Sequence, residues 1–235
     1  MCDTVGALQA TARDLLNKAD LLHVNGAILY SGASTLSKGD VYLLGVNPGG
    51  DERAAELTEH TIDAAVREMT SENNAYCDEC WEVRGKKYDR GEAPMQRRVT
   101  HLLSKIGLDP KKVCASNLMF ARSATQAGIQ DPARLIKAFW PVHLAILNVV
   151  RPKAIIALGN LPFRHVRSEC HSIRDRFCVK ALHGSWVCES FTGELPIGMV
   201  KVIKVPHLAR YALDSPKRSS VIDWIRQELW DVPPR

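Results

Sequence analysis

The feature that most constrains the fold of this chain is an alternation between short apolar stretches and longer helical patterns. Four apolar stretches predict buried strands, at residues 41–46, 112–116, 154–158 and 200–205. Helical patterns lie between and after them, at residues 52–69, 95–106, 131–150, 160–169 and 215–230. Such alternation favours a parallel sheet with helices on both faces. We therefore predict an α/β fold, a three-layer α-β-α sandwich with a central, mainly parallel four-stranded sheet.

Two segments interrupt this alternation, and a third precedes it. Residues 70–94 are polar and predict a loop, and residues 177–194 predict a short hairpin. Residues 1–20 have the periodicity of an amphipathic helix and lack the pattern of a signal peptide. The length of 235 residues suits one domain, and we expect residues 1–235 to form it.

The composition indicates the environment in which the protein works. No apolar run approaches the roughly 20 residues that span a bilayer. Seven cysteines are scattered along the chain, and this odd number fits a reducing compartment better than a disulfide framework. We therefore expect a cytoplasmic monomer without membrane association. The net charge of +5 permits a polyanionic partner without requiring one. Basic groups at residues 84–98 and 164–176 fit either a solvated surface or phosphate contacts.

Polar side chains stand where three of the predicted strands end. Asn47 follows the first strand, Asn117 the second and His207 the fourth. Ligands of parallel sheets bind at the carboxyl ends of the strands, so we expect these three residues to converge on one site. An amide offers a donor and an acceptor, which matches the edge of uracil, and a histidine can donate to an oxygen that gains charge. Each residue alone is also typical of a turn or a structural position.

The loop after the first strand, residues 45–50 (GVNPGG), is rich in glycine and allows a ligand to approach the backbone closely. It matches neither the Walker loop nor the dinucleotide-binding fingerprint. Asp51 and Glu52 follow it and could act as a general base. Their position also fits the first turn of a helix, where acidic side chains stabilise the helix dipole.

Taken together, these motifs resemble the uracil-DNA glycosylase superfamily. Residues 45–49 are similar to the Gly-x-Asn-Pro-Gly motif of its mismatch-specific and single-strand-selective branches. Asn117 corresponds to the Asn that reads the base, and His207 corresponds to the catalytic His of the second motif. Residues 152–159 are similar to the third core strand, so the resemblance extends over residues 41–211.

The resemblance implies a monofunctional DNA glycosylase of base excision repair, which hydrolyses the N-glycosidic bond of uracil or a related deaminated base in DNA. No cofactor and no metal are expected. Asn47 would orient the attacking water, and His207 would stabilise charge on the departing base. The residues implied to hold the base are Asn117 and, in the first loop, Val46, Pro48 and Gly49.

An aromatic ring that stacks on the base is also implied, and the sequence leaves Tyr76, Trp81 and Tyr88 as candidates. The resemblance further implies that Arg122, Arg210 and Tyr211 contact the DNA. Of these, Arg122 would meet a phosphate. The segment formed by Arg210 and Tyr211 would act as a wedge that fills the gap left by the extruded nucleotide.

Two alternatives remain open. The second motif of the superfamily reads His-Pro-Ser, whereas residues 206–209 read Pro-His-Leu-Ala, so a protein of the same fold could bind a base or nucleic acid without cutting it. An enzyme that acts on a small nucleotide or nucleoside is the other alternative.

Cys77 and Cys80 have the spacing of half a metal site, but no second pair follows them. The superfamily branches with an iron–sulfur cluster carry paired cysteines before the first motif, where this chain has only Cys2.

Overall fold

The computed structural model describes residues 2–50 and 60–230, and its main sheet has six strands instead of the predicted four. These strands are β1 (Val41–Gly45), β4 (Cys114–Asn117), β5 (Ala154–Leu158), β6 (His171–Lys180), β7 (Val187–Leu195) and β8 (Gly198–Val205). Their order across the sheet is β4-β1-β5-β8-β7-β6. The first four in this order are parallel, and β7 and β6 are antiparallel additions. The predicted α/β class with a mainly parallel sheet is confirmed, and the predicted strand count is wrong.

The two additional strands form a long hairpin of which the sequence predicted only a short version. Most side chains of β6 are exposed, so no apolar periodicity marks it as a strand. Its pairing with β7 shifts register on both sides of Arg174, and Ser172 and Asp175 have positive φ angles. Such irregularities, together with charged side chains, protect an edge strand from pairing with another chain.

Six helices accompany the sheet: α1 (Cys2–Lys18), α2 (Ile62–Glu68), α3 (Pro94–Lys105), α4 (Pro132–Val150), α5 (Asn160–Glu169) and α6 (Ser219–Trp230). The helices predicted at 95–106, 131–150 and 160–169 agree to within one residue at each end. The last helix starts later than predicted because a 3-10 turn, Pro216–Arg218, precedes it. Of the predicted helix at 52–69, residues 52–59 lie outside the described part. The predicted loop at 70–94 contains a two-stranded hairpin of β2 (Glu82–Val83) and β3 (Lys86–Lys87).

Helices cover both faces of the sheet. Tyr42 and Leu44 of β1 belong to a core that includes α1 and α4, whereas Leu43 belongs to a second core that includes α3 and α6. Successive residues of a strand point to opposite faces, which is why one strand supplies both cores. Helix α4 is long and apolar enough to cross a membrane by length and composition alone, and here its apolar face is packed in the first core.

A buried chain of hydrogen bonds supports the end of β4. The Tyr42 hydroxyl lies 2.8 Å from Nδ1 of His143 in α4, and Nε2 of the same ring lies 3.2 Å from the Leu118 carbonyl. A carbonyl can only accept, so Nε2 carries the proton and Nδ1 accepts from the tyrosine. Burial lowers the pKa of His143 to about 4, which keeps the ring neutral. Because Leu118 follows Asn117 directly, this series of hydrogen bonds fixes the backbone beside a predicted site residue.

Stability should fall as the pH drops from 6.5 to 4, because the folded protein resists protonation of His143. Its pKa is about 4 in the folded state against an ordinary 6.5, so its contribution is complete above pH 6.5 and is lost toward pH 4. The difference amounts to about 3 kcal/mol in the free energy of unfolding. Urea unfolding across this pH range should show a smaller pH dependence for His143→Gln than for the wild type. Exposed His23→Gln is the control, and equal slopes for all three proteins would contradict the assignment.

Candidate functional site

The carboxyl ends of the four parallel strands meet at one edge of the sheet, and the three predicted site residues lie there. Gly45 at the end of β1 is in register with Asn117, and Leu158 at the end of β5 is in register with Val205. Asn117 is the last residue of β4, not the first residue after it. Asn47 and His207 each lie two residues beyond the end of their strand.

Asn117 is buried against the backbone of β1. A Cβ atom added to Gly45 would overlap Oδ1 of Asn117, so the amide occupies the space that any other residue at position 45 would need. The Leu118 N–H donates to the Gly45 carbonyl at 2.9 Å, which continues the pairing of the two strands beyond Asn117. Gly45 is therefore the residue that allows Asn117 to lie across the end of β1.

On the other side of β1, Val46 and His207 flank Gly159. A Cβ atom on Gly159 would lie 3.8 Å from Cγ2 of Val46 and 3.7 Å from Cβ of His207. Gly159 has a φ of 108°, a conformation that favours glycine, and its N–H donates to the Val205 carbonyl at 2.8 Å. Gly159 also takes the N-cap position of α5. Residues 46 and 207 therefore line the same gap at the strand ends.

The ring of His207 is held in one tautomer. The backbone N–H of Ala209 donates to Nδ1 at 3.3 Å, so the proton of the neutral ring is on Nε2. Burial and, secondarily, the nearby charge of Arg210 lower the pKa of His207, which makes the ring neutral at pH 7. Nε2 is therefore able to donate a hydrogen bond to a ligand.

Arg98 of α3 fixes the loop that carries His207, a role the sequence did not indicate. Its Nη1 donates to the carbonyls of Leu208 and Ala209 at 2.6 and 3.1 Å, and its Nε lies 3.5 Å from Asp214. These contacts join α3 to the loop after β8. In the sequence Arg98 is only one member of a basic group, and its partners lie more than a hundred residues away.

Asn47 joins two loops of the site. Its amide nitrogen donates to the carbonyls of Pro48 and Ser123 at 2.8 and 3.0 Å, and the Ser123 N–H donates to the Pro48 carbonyl at 3.0 Å. These bonds use the amide nitrogen of Asn47 and do not involve Oδ1. The loops after β1 and β4 are thereby held together beside the strand ends.

Of the other residues predicted in the first loop, Pro48 is buried and Gly49 is exposed. Asp51 and Glu52 lie outside the described residues.

Three aromatic rings form a cluster beside Asn117. The ring centroids of Tyr30 and Tyr76 are 5.5 Å apart, those of Tyr76 and Trp81 5.8 Å, and those of Tyr30 and Trp81 6.2 Å. Tyr76 and Trp81 were two of the three candidates for stacking. Tyr76 is buried, whereas Tyr30 and Trp81 are partly exposed. Tyr88, the third candidate, does not belong to the cluster and instead lies under a lysine ammonium group, at 4.8 Å.

Tyr30 is the member of this cluster that the sequence missed. The segment that carries it lies along the outer edge of β4, where the Tyr30 N–H donates to the Ala115 carbonyl at 2.8 Å. Burial raises the pKa of Tyr30 to about 12, and the charge of Arg122 and a hydrogen bond with Asn117 oppose part of this rise. The hydroxyl is therefore protonated and can donate a hydrogen bond. The residues before Tyr30 have no strand pattern, so the sequence does not predict that Tyr30 lies beside β4.

The three residues predicted to contact DNA have different environments. Arg210 is exposed. Arg122 is half-buried, and its Nη1 donates to the Gly49 carbonyl, so it joins the loops after β1 and β4. Tyr211 is fully buried and its hydroxyl donates to the Ala181 carbonyl. The predicted wedge role of Tyr211 is therefore wrong, because its ring belongs to the core.

Two features remain, which are the cysteine pair and a cleft apart from this edge. Among residues 2–50 and 60–230, no group of three or more His, Cys, Asp or Glu side chains is arranged to hold a metal ion. Cys77 is half-buried and Cys80 is exposed. A cleft lined by Phe163, Arg167 and Phe177 lies between α5 and the β6–β7 hairpin, and none of the predicted site residues lines it.

Comparison with known proteins assigns the chain to no family. No protein-family model matches the sequence, and no curated protein matches it. The relation to the uracil-DNA glycosylase superfamily is therefore a resemblance of short motifs, carried by residues 45–49, by Asn117 and by His207. The chemistry of the site has to be inferred from the geometry of these residues and their neighbours.

Proposed function

We propose that this protein is a DNA glycosylase that hydrolyses the N-glycosidic bond of uracil or a related deaminated base. The observation that carries the proposal is the position of Asn117 and His207 at one edge of the sheet, on either side of the ends of β1 and β5. Gly45 at the end of β1 and Gly159 after β5 place no side chain between Asn117 and His207. A planar base bound across the ends of β1 and β5 could meet the amide on one side and the imidazole on the other.

Base recognition would depend on Asn117. Its amide combines one acceptor with two donors, which suits the adjacent carbonyl and N–H groups of uracil. The Tyr30 hydroxyl is a possible hydrogen-bond partner for this side chain. The partly exposed rings of Tyr30 and Trp81 offer an apolar surface beside it, on which a base can stack.

Cleavage would depend on His207 and Asn47. When the bond between C1′ and the base nitrogen breaks, the base takes the electron pair, and its oxygen gains negative charge. The Nε2–H of His207 would donate to that oxygen and stabilise the transition state more than the ground state. Asn47 would orient through Oδ1 the water whose oxygen bonds to C1′. Loss of a proton from this water leaves an abasic sugar, and the released base is protonated by solvent.

Access to the bond would require an extruded or unpaired nucleotide, because base pairing and stacking shield the bond within a duplex. Exposed Arg210 follows the His207 loop and can meet a phosphate next to the bound nucleotide. The phosphate contacts would make binding weaken as the salt concentration rises.

A binding protein without glycosylase activity is the second candidate, and two observations favour it. The amide nitrogen of Asn47 is engaged in joining two loops, which is a sufficient structural reason for an asparagine at this position. Leu208, which follows His207, is fully buried, so the second motif provides no apolar side chain for insertion into DNA. Salt-dependent DNA binding without any abasic product would support this candidate.

The wild-type protein should create abasic sites in oligonucleotides that contain uracil, in single strands or opposite guanine or adenine. Asn47→Ala should lower the rate roughly 100-fold, because a misoriented water attacks less effectively. Alkaline cleavage followed by gel electrophoresis measures the product, and hypoxanthine and xanthine substrates define the base preference. Asn17→Ala, an exposed asparagine on α1, is the matched control. Absence of product from wild-type protein on every substrate would reject the proposed activity.

A further inference from the structure

The cleft between α5 and the β6–β7 hairpin has the size of a small ligand site. Phe163 and Arg167 of α5 line it, together with Arg176 and Cys178 of β6. Its volume is about 160 Å³, and engineered cavities of about 150 Å³ hold a benzene molecule. The cleft therefore has room for one six-membered ring.

Two phenylalanine rings form the apolar part of the cleft. The ring centroids of Phe163 and Phe191 lie 5.2 Å apart, and the rings meet edge to face at 62°. Both residues are buried and belong to the first core. Because packing already holds these rings in place, contact with a planar ligand costs them little conformational entropy. The cleft therefore suits an aromatic ring.

The exposed rim of the cleft is positively charged. Arg167 and Arg176 are exposed, and neither guanidinium group has an ion-pair partner in the described part of the chain. By contrast, Nε of Arg174 in the same strand as Arg176 lies 3.5 Å from Asp175. Guanidinium groups bind phosphate oxygens through paired N–H donors. Charge complementarity therefore favours a ligand with a phosphate group.

Glu189 also lines the cleft, and its negative charge is neutralised within the protein. The ammonium group of Lys204 donates to Oε1 of Glu189, and the lysine side chain is only 8% exposed. The Glu189 side chain is 34% exposed, and the contact leaves its Oε2 able to accept a hydrogen bond from a ligand. A pyrimidine base has an N–H that can donate to this oxygen, whereas a hydrocarbon ring has none.

We propose that this cleft is a second binding site, which takes a pyrimidine nucleotide. The base would lie against Phe163 and donate to Glu189, while the phosphate would lie between Arg167 and Arg176. Ring size, the N–H group and the phosphate charge each match one part of the cleft. None of the predicted site residues lines it, so the inference goes beyond the proposed function and does not depend on it. A free nucleotide and a nucleotide within a DNA strand share this chemistry.

The exposed thiol of Cys178 provides a direct measure of occupancy. Thymidine monophosphate is the probe, because it has the ring N–H and the phosphate but no uracil. At about ten times its Kd it should slow alkylation of Cys178 by iodoacetamide roughly tenfold, since only the free cleft reacts. Peptide mass spectrometry measures the rate at each cysteine. Cys80, which is exposed and precedes Trp81 of the aromatic cluster, should react at an unchanged rate.

Substitutions of the two rim arginines test the phosphate contacts. Arg167→Gln and Arg176→Gln should each weaken binding of thymidine monophosphate roughly tenfold in calorimetric titrations, because each removes a charged donor. Arg164→Gln on α5 and Arg174→Gln on β6 remove exposed arginines that do not line the cleft, and should bind as the wild type does.

Three results would overturn the inference. Thymidine monophosphate could leave Cys178 unprotected, or it could protect only Cys80, which would place the nucleotide in the candidate site. Inorganic phosphate or phenyl phosphate could protect Cys178 as well as the nucleotide does, which would show that the base is not recognised.

An oligothymidylate strand distinguishes the two sources of the ligand. Protection of Cys178 by the strand at lower concentrations than by thymidine monophosphate identifies a DNA strand, and the reverse order identifies the free nucleotide. Both results support the site. Uracil release from DNA is measured separately, and because the probe contains no uracil, failure of the glycosylase proposal leaves this test unchanged.

Discussion

His207→Ala should lower the rate of base release by roughly 100- to 1000-fold, the usual effect of removing one preformed donor to a developing negative charge. The donor is Nε2, because the Ala209 N–H occupies Nδ1 and the pKa of His207 is lowered by burial. The decrease should appear in kcat more than in KM, since charge on the base oxygen develops only as the bond breaks.

Two further variants separate the hydrogen bond from other effects of the substitution. His207→Gln keeps an N–H donor at a similar distance from the backbone and should recover part of the lost rate. His23→Ala removes an exposed histidine elsewhere and should leave the rate unchanged. Nitrogen-15 NMR of the His207 ring should find the proton on Nε2 at pH 7. Undiminished turnover by His207→Ala would remove His207 from the mechanism.

Gly45→Ala should both destabilise the protein and abolish most base recognition. The new methyl group would overlap Oδ1 of Asn117, which is buried and has no solvent space into which to rotate. Forcing a methyl group into a packed site costs about 1–3 kcal/mol, which lowers the melting temperature by several degrees in a chain of this size. Thermal unfolding measures the first effect, and affinity for uracil-containing DNA measures the second.

A double-mutant cycle locates the cause of this loss. Gly45→Ala combined with Asn117→Ala removes the overlapping amide, so the double variant should lose less stability than the sum of the two single variants. Gly49→Ala is the matched control for stability, because a Cβ atom at position 49 meets nothing within 4 Å. Additive losses in the cycle would mean that the two side chains do not compete for the same space.

The regular helices and the parallel strands were predictable because their patterns are local. Apolar runs of five or six residues marked β1, β4, β5 and β8, and the helical periodicity marked α3, α4 and α5 almost to the residue. The hairpin of β6 and β7 was predicted too short and outside the main sheet, because the exposed edge strand β6 has no apolar periodicity. Strand β7 joins the sheet by pairing with β8 across a tight turn, and β6 joins it only through β7.

The residues of the candidate site likewise fall into those that the sequence indicates and those that only the structure reveals. Asn47, Asn117 and His207 stand out in the sequence because each is a polar residue at the end of an apolar strand, and parallel strands bring such ends to one edge. Tyr30 and Arg98 could not be recognised, since each reaches the site through contacts with segments far away along the chain. Tyr211 was assigned to the wrong role because a sequence pattern does not show whether an aromatic ring points into the core or toward solvent.

The sequence by itself therefore determined the fold class and the strand ends at which ligand chemistry can occur. The tertiary structure decided which side chains reach that edge, which tautomer His207 adopts, and why positions 45 and 159 are glycine. The physical reason is that periodic burial depends on the local order of apolar and polar residues. Close packing and hydrogen-bond partners instead depend on segments that meet only after the chain has folded.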